Sequence, residues 1–273
     1  MKLIYIINSR LPTERAYGIQ VAKMCEALAE NSAEVIFLYP KRHNPLRGKD
    51  FFSYYGIKKN FEAKELFSID LLKYRFLNIF SFWLGAASFY LSVFCRLVFK
   101  FRAFKYVYTR DFYSAFILRI LGKKIFFETH YLPKKVFLFY RYFLKLNNGI
   151  IVITKKLKDE LVKRGVAGDK ILVLADGVDL NQFDIKISRE AAREKLGLPL
   201  AQKIVLYTGH LYEWKGASVL LEAARYLQDA LVIFVGGREE DIKNLKSQTC
   251  PPEPSAQADG RRVSNLKSNN VFL

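Results

Sequence analysis

Acid is what this sequence is short of. Its 273 residues hold 26 aspartates and glutamates against 44 lysines and arginines, a formal net charge of +18. A positive field of that size favours nucleic acids, anionic lipid surfaces or phosphorylated small molecules, and charge alone does not choose among them. Cysteine is scarce as well. Cys25, Cys95 and Cys250 are scattered, with no metal-type pair spacing, which suggests reduced thiols in a cytosolic compartment. Zinc-finger spacing, the aromatic motif of RNA-recognition folds and a helix-turn-helix signal are all missing, so nucleic acid is not an expected partner. No Asp-x-Asp cluster argues for a bound metal. The start, Met1-Lys-Leu-Ile-Tyr-Ile-Ile-Asn8, is too short for a signal peptide and runs into polar residues, so it reads as a first core strand.

What is present is a globular composition with a strand–helix alternation. Lys2 to Asn8 suits a buried parallel strand. After a loop from Ser9 to Tyr17 comes a helical pattern, with Ile19, Ala22, Cys25, Ala27, Leu28 and Ala29 on an apolar face and Lys23, Glu26 and Glu30 off it. Ala33 to Tyr39 is a second strand, stopped by Pro40. This is a βαβ unit, so a parallel sheet is expected. Further strands are predicted near Phe61 to Phe67, at Tyr106 to Asp111, Lys124 to His130, Gly149 to Thr154 and Lys170 to Ala175. Helices are predicted over Phe112 to Leu121, Lys134 to Leu146 and Lys155 to Arg164.

Ile79 to Cys95 contains no charge at all. About twenty apolar residues span a bilayer, and this stretch sits near that threshold. Two readings stand: a helix buried against the sheet or lying at a lipid interface, and a true span. A span would break the alternation that continues on both sides.

Asp184 to Pro199 is a polar connection, with a short helix that Ser188 can cap. A second series then starts. Lys203-Ile-Val-Leu-Tyr-Thr208 leads into Gly209-His-Leu-Tyr-Glu-Trp-Lys-Gly216 and a helix from Ala217 to Leu227. Glycines let a backbone come close to a ligand, a helix start offers free N–H groups, and Lys215 adds a full charge. An anionic phosphate would fit there; so would an ordinary β–turn–α connection with an exposed lysine. Asp229 to Val235 is the next strand, Gly236-Gly237 the next turn, and Arg238 to Ser247 the next helix. Gln248 to Asn270 reads as a loop or disordered insertion, and Asn270 to Leu273 as the start of another strand.

Three places together resemble the family 4 glycosyltransferases, retaining enzymes with the GT-B fold. Gly18-Ile-Gln-Val-Ala-Lys-Met-Cys-Glu-Ala-Leu28 is similar to that family's glycine loop and first helix. Ile151 to Leu161, with Asp176-Gly-Val-Asp-Leu-Asn-Gln-Phe183, is similar to the end of its N-terminal domain. Tyr207 to Gly216 is similar to its donor-phosphate loop. The resemblance implies an α/β fold with a complete N-terminal Rossmann-like domain on a parallel sheet, residues 1–184, and a partial C-terminal nucleotide-sugar-binding domain, residues 200–273.

The resemblance also implies roles. Lys215, flanked by Gly209 and Gly216, would contact the donor diphosphate. His210 stands where arginine is usual, so phosphate affinity is weaker or pH-dependent there, or another cation substitutes. Gly18 would belong to the cleft loop, although Tyr17 replaces a first glycine. His130, at the C-terminal end of a strand, would line the cleft near the transferred sugar as the catalytic residue. No metal and no cofactor are expected, because Lys215 and the following helix would stabilise the leaving diphosphate. Expected partners are a nucleotide-diphosphate sugar, a lipid-linked or glycan acceptor, and an anionic membrane surface, with a cytoplasmic location on the inner face of the plasma membrane. The family's later Glu-(seven residues)-Glu motif is not reached before Leu273, and Glu239 and Glu240 do not fit its spacing. The expectations are therefore a truncated second domain and little or no transferase activity for these 273 residues alone. A non-catalytic, membrane-associated binding or scaffold protein is the alternative.

Overall fold

The computed structural model describes residues 1–71, 78–132, 144, 148–249 and 271–272. The chain divides into two units, Met1–Val178 and Asp179–Leu273. The sequence places its boundary in the polar connection after residue 184; the chain divides a few residues earlier.

Unit 1 is built on seven parallel strands in the order β3-β2-β1-β4-β5-β6-β7. They are β1 (Lys2–Ile6), β2 (Glu34–Pro40), β3 (Glu62–Leu66), β4 (Tyr106–Thr109), β5 (Lys124–Thr129), β6 (Gly149–Val152) and β7 (Ile171–Val173). The connecting helices are α1 (Ala16–Glu30), α2 (Phe51–Tyr55), α3 (Asn78–Phe99), α4 (Phe112–Ile120) and α5 (Lys155–Lys163). The inner strands β1, β2, β4 and β6 read as apolar runs because both faces are covered, whereas the edge strand β3 is Glu-Ala-Lys-Glu-Leu and partly exposed. Alternate residues of β1 enter different cores. Ile4 and Ile6 join Ile36, Leu38, Val107 and residues of α3 and α4. Leu3 and Tyr5 join Phe37, Tyr108 and residues of α1 and α2. This is a doubly wound α/β layer. Its strand order reverses between β1 and β4, where such sheets open a crevice at the C-terminal strand ends.

The amphipathic reading of α1 needs one correction. Its buried residues are Gly18, Val21, Ala22, Cys25 and Glu26, whereas Ile19 is 44% exposed. The Glu26 carboxylate goes inward because it accepts from the Lys58 backbone N–H at 2.6 Å and from Lys23 Nζ at 3.1 Å. A paired, hydrogen-bonded carboxylate can be buried where an unpaired one cannot. Pro40 is the last residue of β2 rather than the stop outside it.

Helix α3 buries Phe89, Val93 and Leu97 on the sheet beside Ile6, Ile36 and Leu66. Each such side chain contributes about 1.5–3 kcal/mol of burial. Polar ties fix the helix to the segment after β3: Ser68 Oγ donates to Gly85 O at 3.1 Å, and the Ile69 N–H donates to Ser88 Oγ at 2.8 Å. The opposite stripe of α3 is exposed. Apart from Leu144, the helix predicted over Lys134 to Leu146 lies outside the described residues, as does nearly all of the loop predicted over Gln248 to Asn270.

Unit 2 carries a three-stranded parallel sheet, β10-β9-β8, from β8 (Lys203–Thr208), β9 (Ala230–Val235) and β10 (Val271–Phe272). Its helices are α6 (Leu180–Phe183), α7 (Arg189–Lys195), α8 (Ala217–Ala223) and α9 (Glu239–Thr249). Ser188 caps α7 as expected, its Oγ accepting from the Ala191 N–H at 3.0 Å. The helix predicted over Ala217 to Leu227 is shorter: α8 stops at Ala223 and the chain tightens into a 3-10 turn over Ala224–Tyr226. Within the stretch predicted over Asn270 to Leu273, Val271–Phe272 does supply a strand, paired in parallel with β9.

Candidate functional site

The chemistry of unit 1 gathers at the C-terminal ends of β4 and β5, around a carboxylate. Glu128 lies inside β5 with its side chain 3% exposed. Its Oε2 accepts from the Tyr108 hydroxyl at 2.7 Å, and its Oε1 accepts from Arg110 Nη2 at 2.8 Å. His130 Nε2 lies 2.6 Å from the same Oε1. Burial pushes the Glu128 carboxyl up, but the His130 hydrogen bond, the Arg110 charge and the Tyr108 hydroxyl outweigh it and hold it below the ordinary carboxylate range. The buried charge is thus paired and hydrogen-bonded on both oxygens.

This arrangement orients His130. With Glu128 ionised, Nε2–H donates to it, and in the neutral ring Nδ1 is then the acceptor. Thr129 Oγ1 donates to Tyr131 O at 2.6 Å and fixes the backbone beside the imidazole. The Arg110 guanidinium also reaches α1, and Gln20 there links it to the loop after β7. Its Nη1 donates to Gln20 Oε1 at 2.8 Å, and Gln20 Nε2 donates to Asp176 Oδ1. Tyr5 stacks on Tyr108 with ring centroids 4.9 Å apart, and burial pushes its hydroxyl pKa up. His130, just past the C-terminal end of β5, is thus held by a cluster drawn from β1, α1, β4, β5 and the loop carrying Asp176. The arrangement leaves His130 Nδ1 as a hydrogen-bond acceptor.

Glu128, His130 and Asp176 offer ligand atoms that all lie within 4.8 Å of one another, a set that metal ions favour. Arg110 stands against that use. Its guanidinium already neutralises Glu128 at 2.8 Å, so a divalent cation would have to displace a bound cation.

A second polar group lies past the C-terminal ends of β1, β2 and β4. Arg42 Nη2 donates to Asn8 Oδ1 at 2.6 Å, Asn8 Nδ2 donates to Tyr90 OH at 2.8 Å, and Tyr90 OH donates to Asp111 Oδ1 at 3.2 Å. Asp111 also caps α4 through the Ser114 N–H.

Gly18 sits in the first turn of α1. A Cβ there would lie 2.3 Å from Tyr55 OH and 2.6 Å from Thr13 Cγ2. Tyr55 OH accepts from the Thr13 N–H at 2.7 Å and lies 3.2 Å from Thr13 O, closing the loop before α1 from within. What the structure shows of Gly18 is this close approach.

In unit 2 the structure brings Gly209, His210, Lys215 and Gly216 together around one turn. Gly209 has φ +132 and Gly216 φ +74, regions that favour glycine. A Cβ on Gly209 would lie 3.7 Å from Lys215 Nζ, so the lysine folds back over the glycine. The ammonium also faces the rings of Trp214 at 5.5 Å and Tyr212 at 5.9 Å. His210 stacks on Tyr212 with centroids 5.1 Å apart, its carbonyl accepts from Tyr207 OH at 2.8 Å, and its buried Nδ1 has no partner among the described residues. Gly236 completes the turn: a Cβ there would meet Gly209 O at 2.5 Å. Two glycines at adjacent strand ends thus keep the backbone bare beside a lysine.

Sequence reading did not single out Arg110, Glu128 or Gly236 as site residues; Gln20 and Asp176 stood in the quoted motifs without a role of their own. A signal for two of them was present. Glu128 and Arg110 are charged residues in or next to short apolar strands, where burial demands a partner.

The chain's relatives agree with this architecture. The Glycosyltransferase Family 4 profile matches residues 18–182, more than half of the chain. TuaC of Bacillus subtilis strain 168, a glycosyltransferase named for teichuronic acid biosynthesis, is 31% identical over 123 residues, covering 44% of this chain and 31% of TuaC. The D-inositol 3-phosphate glycosyltransferase of Mycolicibacterium smegmatis is 39% identical over 89 residues, covering 32% of this chain and 20% of that enzyme. The matches thus span less than a third of either relative. Among solved structures, Anabaena HepE in complex with UDP-glucose superposes with a TM-score of 0.61 at 15% identity, over 91% of this chain and 65% of HepE. At that identity the likeness speaks for the fold, a GT-B glycosyltransferase architecture. By the profile match across unit 1, the chain belongs to Glycosyltransferase Family 4.

Proposed function

We propose that the protein is a retaining glycosyltransferase that takes a sugar from a nucleotide-diphosphate sugar and passes it to a glycan or lipid-linked acceptor of the cell envelope. The observation that carries this reading is Lys215 folded over Gly209, with Gly236 packed behind it. A bare backbone beside a full positive charge suits a diphosphate that gains negative charge as the sugar leaves. UDP-glucose bound to HepE supports the donor class, and the teichuronic acid role given to TuaC supports a polysaccharide acceptor. His130 is the catalytic residue of this reading. Its ring, oriented by Glu128 at 2.6 Å, would face the transferred sugar, with Nδ1 as acceptor for a sugar hydroxyl. Gly209, His210 and Gly216 would contact donor phosphates with Lys215, and no metal is required. The reaction takes place in the cytoplasm, at the inner face of the plasma membrane, where anionic lipid would meet the protein's positive field.

Nucleotide binding tests the reading. Titration calorimetry with UDP and GDP, without membranes, is expected to show one of them binding. Lys215→Ala would weaken it about tenfold or more, since one hydrogen bond to a charged group contributes about 1.5–3 kcal/mol. Absence of binding by both diphosphates and their sugars at millimolar concentration would refute the donor assignment. Anomeric analysis of the product decides between retention and inversion.

A further inference from the structure

We infer that α3 is an in-plane membrane anchor, its outer stripe seated in the acyl boundary of an anionic bilayer; this rests on the membrane location proposed above and names the surface that meets the lipid. Ser81–Phe99 is long and apolar enough to cross a bilayer, with a mean hydropathy of 1.6, yet only 28% of it is buried. An ordinary surface helix turns charge outward. This one turns Trp83, Leu91, Phe94, Val98 and Phe99 outward, the last 80% exposed. The inner stripe is occupied: Phe89, Val93 and Leu97 cover the parallel sheet, and Gly85 and Ser88 are hydrogen-bonded to the segment after β3. A helix whose Phe89, Val93 and Leu97 cover a sheet does not also cross a bilayer, so a lipid-facing outer stripe lies in the interface.

Charge names the occupant. No aspartate or glutamate occurs between Asp70 and Asp111, while Arg96, Lys100, Arg102 and Lys105 follow one another at the C-terminal end of α3. Lys100 and Arg102 are exposed. Apolar stripe and basic end together match acyl chains beneath anionic headgroups. Beside them, Leu66, Phe67, Leu91, Ser92, Cys95, Phe99 and the cations Arg96 and Lys100 line a cavity of about 450 Å³. A largely apolar lining that includes two cations suits one acyl chain and its phosphate.

The test uses vesicles of phosphatidylcholine, alone and with phosphatidylglycerol. Co-sedimentation is expected with the mixed vesicles and to fall as salt rises. Lys100→Gln with Arg102→Gln is expected to weaken it about fivefold per cation removed. Leu91→Asp with Phe99→Asp, both at exposed positions, is expected to lose at least tenfold while thermal unfolding stays unchanged. The chain holds two tryptophans, Trp83 and Trp214. In Trp214→Phe, Trp83 reports depth, and lipids brominated near the headgroup should quench it more than lipids brominated at the chain end. Equal binding to neutral vesicles, unchanged binding of Leu91→Asp/Phe99→Asp, chain-end quenching, or burial of Trp83 in a vesicle-free dimer would each overturn the inference. Diphosphate binding without vesicles is unaffected by these outcomes, so failure of the anchor and failure of the transferase reading are separable.

Discussion

Replacing Glu128 with glutamine removes one charge and leaves the volume unchanged, which isolates what the carboxylate does. In the native chain its two oxygens accept from Tyr108, Arg110 and His130 at 2.7, 2.8 and 2.6 Å. Glutamine can keep an acceptor toward Arg110 and turn its NH₂ toward the Tyr108 oxygen, so the hydrogen bonds to both are retained in some form. The pairing is not retained, because the Arg110 side chain is 14% exposed and loses its counter-charge. Removing one partner of a buried pair costs about 3–5 kcal/mol; with hydrogen bonds retained, the low end, about 3 kcal/mol, is expected. Urea unfolding followed by circular dichroism at pH 7 measures it. Arg110→Met in the same chain should restore more than half, as coupled neighbours are non-additive. Acid supplies a second check. The Glu128 carboxyl is held below its ordinary range, so its contribution is fully present above the unfolded value of about 4.3 and fades as pH falls through the lower folded value. The gap between native chain and variant should be flat from pH 7 to about pH 5 and narrow below about pH 4. A loss under about 1 kcal/mol at pH 7, or a gap indifferent to acid, would refute the account of the cluster.

Gly18→Ala should destabilise unit 1 by about 1–3 kcal/mol despite alanine's better helix propensity, because the new methyl overlaps Tyr55 OH; a stabilised variant in urea would contradict the packing. Gly236→Ala places a Cβ 2.5 Å from Gly209 O at φ +112 and should reduce both stability and nucleoside-diphosphate binding, read by thermal shift with and without UDP or GDP. Phe89→Ala should cost about 3–5 kcal/mol while Leu91→Ala, two residues away on the exposed stripe, should cost under about 0.5, because only the first is buried. Ser188→Ala should cost about 1 kcal/mol through the lost cap on α7, visible as a lower unfolding midpoint of unit 2.

What the sequence determined by itself was set by local pattern. Continuous apolar runs such as Leu3 to Ile7 and Ile150 to Val152 suit strands covered on both faces, and their alternation with helices called for a parallel sheet. The turn from Gly209 to Gly216 was legible for the same reason, since positive-φ glycines and the lysine lie within a few residues of one another. Tertiary structure decided what depends on residues far apart in the chain. Glu26 is polar by periodicity yet buried, because the Lys58 amide, reached through β2 and α2, needs an acceptor. The absence of charge from Ile79 to Cys95 could not say which side of α3 is spoken for; the sheet takes Phe89, Val93 and Leu97 and leaves Trp83, Leu91 and Phe99 outside. His130 could be read from its place at a strand end. Its orientation could not, because Glu128 alternates inward beside Tyr108 and Arg110 only once β4 and β5 pair, and Gln20 joins Asp176 only when α1 packs beside the loop after β7. Strand pairing and helix packing bring such groups to hydrogen-bond distance, and no one-dimensional period records them.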